Sequence, residues 1–160
     1  VNLKISTETA LSIYLNIIDG KTPYVKIALL EIEFSSTVDA PGMFVVISVD
    51  EKILLMKQFS TQSTGFKYNI PDSGETTEHE LRIEVRGRPT GAMLHIHRIC
   101  IEGLDMRLTI EDSGSCELDG ESAVPSEYMG QVGYQSLKFT TPIYPWLLAN
   151  ERKDTYYYPH

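Results

Sequence analysis

The chain has 160 residues, with 22 acidic against 14 basic side chains and a formal net charge of −8. Hydrophobic residues make up 42% and charged residues 22%, the balance of a globular domain that can bury a core without disulfide or metal staples. These figures argue against a disordered chain, against a membrane-spanning helix, which needs an apolar run of about 20 residues, and against a basic nucleic-acid face, since phosphate neutralisation needs clustered Lys and Arg.

The chain opens Val1-Asn2-Leu3 without a Met and without a basic segment leading into an apolar one, as a processed or viral product would. Leu11, Ile13, Leu15 and Ile17 then alternate, and Asp19-Gly20 reads as a turn. Val25, Ile27 and Leu29 continue on one parity, and Leu30, Ile32 and Phe34 take the other. That switch predicts a bulge near Leu29 or Leu30, with Glu31 and Glu33 facing water. Ala40-Pro41-Gly42 breaks the chain before a Val- and Ile-rich run, Met43 to Val49, that reads as a buried strand. Asp50-Glu51-Lys52 turns it into Ile53 to Met56. Phe66, Tyr68 and Ile70 alternate up to the turn Pro71-Asp72-Ser73-Gly74.

Leu81, Ile83 and Val85 interleave with Glu80, Arg82, Glu84 and Arg86, the pattern of a half-buried strand with opposite charges on its wet face. Met93 to Glu102 predicts another strand, and Met106 to Ile110 one more. Many short strands with no intervening helix predict an all-β antiparallel sandwich of jelly-roll type over residues 1–110. Residues 111–160 read as an irregular extended loop and C-terminal arm, with a short helix at 144–153.

His95-Ile96-His97 places two imidazoles on one side of a strand, a spacing that can supply two metal ligands, with His79 the nearest third. The carboxylates are scattered over turns and wet faces, with no general acid–base pair placed by spacing. Loops at Glu111-Asp112 and Glu117 to Glu121 could offer oxygen ligands to calcium, although no EF-hand spacing is present. No phosphate-cradling Gly loop and no Gly-x-Ser-x-Gly elbow occurs, and no cofactor is expected. Cys100 and Cys116 are too few for a disulfide framework, and one bridge or two free thiols remain open. Trp146 and Tyr156, Tyr157 and Tyr158 are the candidate ligand-binding residues, because aromatics offer rigid amphipathic area to sugar faces or protein partners. The competing role for them is to anchor the arm onto its own domain.

Phe44 to Asp50, His79 to Val85 and Ile99 to Gly103 together resemble the amino-terminal jelly roll of SGNH (GDSL-type) carbohydrate esterases, which is similar to carbohydrate-binding modules. Leu108 to Cys116 looks like a degraded form of the strand and Gly-Asp-Ser block that open the catalytic domain of that family, and Tyr144 to Ala149 like its first helix. The resemblance would make Ser113 the nucleophile and Asp112 its neighbour, but Glu111 stands where the family has its first glycine. The chain ends before the family's oxyanion-hole Gly and Asn blocks and its Asp-x-x-His could occur. A serine without base or oxyanion donors is a poor catalyst.

The first functional expectation is therefore a non-catalytic binding module whose partner is a carbohydrate or a protein surface. The second is a structural subunit, a capsid, decoration or filament protein, whose arm ties homo-oligomeric neighbours together. The third is a fragment or decayed relative of an SGNH esterase.

Overall fold

A computed structural model of the chain describes residues 26–72 and 74–150. The strand expected at Leu11 to Ile17, its Asp19-Gly20 turn, Tyr156 to Tyr158 and His160 lie outside the described residues. The strands are β1 (Lys26–Ser36), β2 (Ala40–Val49), β3 (Lys52–Phe59), β4 (Thr64–Asp72), β5 (Thr77–Gly87), β6 (Leu94–Ile101), β7 (Leu104–Asp105), β8 (Ser115–Leu118), β9 (Glu121–Ser122), β10 (Tyr128–Met129) and β11 (Gly133–Thr141). Two short helices accompany them, α1 (Arg107–Ser113) and α2 (Ile143–Ala149).

The strands form two antiparallel sheets. One is five-stranded, ordered β10-β6-β1-β4 with β7 beside β6, and the other is six-stranded, ordered β3-β2-β5-β11-β8-β9. Their inner faces enclose the core. Leu30, Ile32, Phe34, Ile70, Leu94, Ile96 and Ile101 come from the first sheet, and Val45, Ile47, Leu81, Ile83, Val85, Leu137 and Phe139 from the second. The chain is an all-β sandwich, as its alternation predicts.

The pairs β2–β3, β1–β4, β5–β11 and β6–β10 follow one another along the roll, although in the chain β2–β3 lies within β1–β4 and β6–β10 within β5–β11. They alternate between the sheets, which is the winding of a jelly roll, a long hairpin rolled up around its core. The tip of the hairpin is the β2–β3 turn, where Asp50 and Glu51 have φ of 52° and 67°. Both central residues are in the left-handed region, as a two-residue turn matched to the strand twist requires. One arm of the hairpin reads β10, β11, β1, β2, so its first two strands are supplied from beyond residue 110.

That placement corrects the expectation of an irregular arm after residue 110. β11 pairs with β5 from Gly133 to Thr141, and Phe139 is 1% exposed. Its inward residues are Gln135, Leu137, Phe139 and Thr141, a regular alternation whose two ends are polar. Gln135 Nε2 donates to the Ser126 carbonyl at 2.8 Å, so this buried amide is satisfied.

The expected strand at Met106 to Ile110 is instead the start of a helix. Met106 and Ile110 are both buried and lie four apart on one helix face, and the Ile110 amide donates to the Met106 carbonyl. Of the helix expected at 144–153, residues 144–149 lie in α2 and 151–153 lie outside the described residues; Pro145 sits in the first turn of α2, where its missing N–H costs nothing.

The bulge is also displaced from its expected place. β1 pairs with β4 without interruption from Lys26 to Phe34. The irregularity lies against β6, where Glu33 faces Arg98 but Phe34 faces Ile96, leaving His97 as the extra residue. Ala28 to Ile32 are buried on both parities, and β1 lies between β4 and β6 in its sheet.

Candidate functional site

The outer face of the five-stranded sheet carries a set of polar side chains aimed in one direction. Cross-strand register places them in three rows. Lys67, Glu31 and Cys100 form the first, Gly65, Glu33 and Arg98 the second, and Ser35, His95 and Tyr128 the third. Residues in register across antiparallel strands share a face, so these side chains stand together although most are far apart in the chain.

An open hollow of about 330 Å³ lies over the first two rows, lined by Glu31, Glu33, Gly65, Phe66, Lys67 and Arg98. Gly65 makes the depth, since its missing side chain leaves empty space above the backbone. Glu31 forms the floor. The sequence places it on a wet face, yet it is only 7% exposed. Lys67 Nζ and Arg98 Nη2 approach its Oε2 from either side at 4.0 and 3.9 Å. These are ion-pair distances beyond hydrogen-bond reach, so carboxylate, ammonium and guanidinium keep capacity for a bridging group. Arg98 Nε donates to Cys100 Sγ at 3.1 Å. That sulfur, then Glu31, hold the guanidinium above its already high ordinary value. At the rim Glu33 Oε1 accepts from Ser63 Oγ at 3.0 Å.

Beyond the hollow the rings form a continuous strip. Tyr128 and His95 stack with centroids 4.3 Å apart and planes 10° from parallel, and His97 follows at 4.1 Å from His95. The extra residue in β6 makes this strip, because it lets His97 and Arg98 both face outward. His97 Nε2 shares a hydrogen bond of 2.7 Å with Ser35 Oγ, and His95 Nε2 lies 3.8 Å from Glu127 Oε2. Arg107 closes this end of the face, donating from Nη2 to Asp105 Oδ2 at 2.8 Å. Its hydrogen bonds hold the Asp105 carboxyl below the usual carboxylate range.

His95 and His97 therefore do lie side by side, but no group of three metal-ligating side chains exists among the described residues. His79 cannot join them. It belongs to the other sheet, where its Nδ1 is 2.7 Å from Asp50 Oδ2 and its Nε2 is 3.1 Å from Thr141 Oγ1. The acidic stretches considered for calcium are split between α1, β8 and β9 and gather no such group either.

Trp146 packs edge-on against Phe139 at 6.4 Å and is half-buried against the core, so it anchors α2 to its own domain. The other aromatics expected to bind ligand, Tyr156, Tyr157 and Tyr158, lie outside the described residues. Asp112 and Ser113 are exposed at the end of α1, where the resemblance implied a strand. The three described imidazoles are engaged by Asp50 and Thr141, by Tyr128 and Glu127, and by Ser35, and none hydrogen-bonds Ser113. Cys100 and Cys116 are both free thiols, buried in different sheets.

Sequence reasoning missed Glu31, Lys67, Arg98 and Tyr128 as a group. Alternation assigns Glu31 and Glu33 to the outer face, but it does not say which strand lies beside them. The one local signal for Tyr128 was an aromatic in a stretch otherwise poor in apolar residues.

No family model matches the chain, and no curated protein matches it. Two solved structures resemble it. One is the selenomethionine form of vCBM60, described in work on a circular permutation linking two families of calcium-dependent carbohydrate-binding modules. It has 14% identity and a TM-score of 0.49 over 68% of this chain and 88% of that one. The other is vCBM60 in complex with galactobiose, at 14% identity and a TM-score of 0.48 over 68% of this chain and 95% of that one.

Proposed function

We propose that the chain is a non-catalytic binding module of carbohydrate-binding type that seats its ligand on the outer face of the five-stranded sheet. One observation carries this reading. Glu31 is an almost fully buried carboxylate at the floor of an open hollow, flanked by two cations that come close without hydrogen-bonding it. A sugar hydroxyl both donates and accepts. A vicinal pair of hydroxyls can donate to Glu31 and accept from Arg98 or Lys67, replacing bonds the free protein leaves unmade. The ring of Tyr128, 41% exposed, offers apolar area to a C–H face of a sugar farther along the same sheet face.

The test is a glycan-array screen of the full chain, followed by calorimetry on the best glycan. Glu31→Gln and Arg98→Ala should each weaken binding at least about ten-fold, the loss of one charge-assisted hydrogen bond. Trp146→Ala should leave affinity unchanged once folding is verified. A blank array, or affinity indifferent to both Glu31→Gln and Arg98→Ala, overturns the reading.

A second reading, assembly with copies of itself, is favoured by β3. Among the described residues β3 is an edge strand of the six-stranded sheet, and it carries Ile53 and Met56 at 52% and 54% exposure. Unpaired edges bearing apolar side chains are ready templates for strand addition. Light scattering at rising concentration tests it: a mass that stays at one chain removes this reading, and a dimer lost in Ile53→Lys supports it.

A further inference from the structure

The six-stranded sheet turns its outer face away from the hollow. There Ser48, Arg82, Ser136 and Ser115 stand in register across four adjacent strands, β2, β5, β11 and β8. Their chain neighbours Ile47, Val49, Leu81, Ile83, Leu137 and Cys116 are buried, so this row points outward, although Ser48 and Ser136 are themselves only 9% and 8% exposed. An arginine thus stands at the centre of a sheet with a serine on either side.

Arg82 differs from Arg86, Arg98 and Arg107. Arg86 reaches Glu84 at 2.9 Å, Arg107 reaches Asp105 at 2.8 Å, and Arg98 sits 3.9 Å from Glu31. Among the described residues no carboxylate comes within ion-pair distance of Arg82, and its buried Nε has no hydrogen-bond partner. Its guanidinium lies over the Tyr134 ring, 3.7 Å from the centroid. Of the two carboxylates that flank it on β5, Glu84 is taken by Arg86, and Glu80 stands opposite Lys138. In a chain with 22 acidic residues to 14 basic ones, a guanidinium that sits over a ring and meets no carboxylate among the described residues stands out.

We propose that Arg82, Tyr134, Ser48 and Ser136 form a second binding site, for a carboxylate carried on a small hydroxyl-rich molecule such as a sugar acid. A planar guanidinium presents parallel N–H donors that match the two oxygens of a carboxylate. The cation–π contact with Tyr134 restrains that fork before binding, which lowers the ordering cost. The serine hydroxyls on both sides each donate and accept, so they suit hydroxyl groups next to the carboxylate. The site faces away from the hollow and does not depend on the reading given for it.

The experiment uses the full chain labelled with nitrogen-15. The arginine Nε–H and backbone signals are followed while sodium glucuronate is added, with glucose as the neutral control and sodium chloride matching ionic strength. Arg82→Lys assigns the Arg82 signal and serves as the variant, and Ser48→Ala is the second. The expected result is a saturable movement of the Arg82, Tyr134 and Ser136 signals with glucuronate only. Arg82→Lys should weaken it at least about ten-fold, because an ammonium cannot make the paired contact. Three outcomes overturn the proposal: no saturable movement, an equal movement with glucose or sodium chloride, or unchanged affinity in Arg82→Lys. Should Arg82→Lys fail to fold, the contrast between glucuronate and glucose on the unaltered chain decides the matter, with weakened binding in Ser48→Ala as the supporting result.

Discussion

Gly87 ends β5 with φ of +114°, opposite Met43 on β2. A side chain there would bring a Cβ to 2.0 Å from the Gly42 carbonyl oxygen. Two independent penalties fall on one atom, an unfavourable backbone angle and a collision with backbone that cannot swing aside. Gly87→Ala should therefore destabilise the fold by more than the ~1–3 kcal/mol of the φ strain alone, read as a shift in the urea midpoint. Gly65 is a different case, since nothing stands within 4 Å of its Cβ position. Gly65→Ala should cost little stability, and any loss of binding it causes would report on the hollow it lines. Burial pushes the Cys116 thiol up, away from the thiolate that reacts. Cys100 is 5% exposed and Cys116 8%, so a thiol reagent should label both slowly in the native protein and rapidly in denaturant. A non-reducing mass measurement should find no bridge.

At the scale of elements, β11 and α2 act as one unit. Phe139 on β11 is buried between the His79 ring, 5.7 Å away, and Trp146 on α2. Phe139→Ala should cost about 3–5 kcal/mol, as large aromatic deletions in a packed core do. Trp146→Ala should cost less, because the half-buried indole leaves a gap that water can fill. The corner between β7 and α1 depends on pH. Arg107 lowers the folded-state pKa of Asp105 below its ordinary 3.8. The stability this contributes is present above the unfolded pKa and is lost as pH falls through the folded one. The pair is solvent-exposed, so the effect is small. Asp105→Asn should reduce the difference in melting temperature between pH 6 and pH 2 rather than abolish the fold.

At the scale of the molecule, the two halves of the roll come from distant parts of the chain. β10 and β11 complete the arm that β1 and β2 continue, so a chain ending near Ile110 lacks a central strand of the six-stranded sheet. Such a truncation should be unfolded or aggregated by circular dichroism and light scattering, not a folded monomer. A folded truncation would show that β1 to β6 suffice.

Period-two alternation at Leu81, Ile83 and Val85, the Asp50-Glu51 turn and the lack of long amphipathic helices were enough by themselves to specify an all-β sandwich. Each is a local property, written within a few residues of where it acts. The rest was decided only in three dimensions. β11 escaped notice because polar Gln135 and Thr141 bound the apolar pair Leu137 and Phe139 on its inward face, and their burial is made tolerable by partners outside the strand. The Met106–Ile110 spacing serves a helix as well as a strand end, and packing of both residues into the core chose the helix. The candidate sites are the clearest case. Lys67, Glu31 and Cys100 form one row and Ser48, Arg82 and Ser136 another, drawn from segments tens of residues apart. Alternation tells which face of a strand a side chain takes, but not which strand lies beside it. That is settled by the global winding, because the order of strands in a sheet depends on which long-range pairings bury the most apolar surface together.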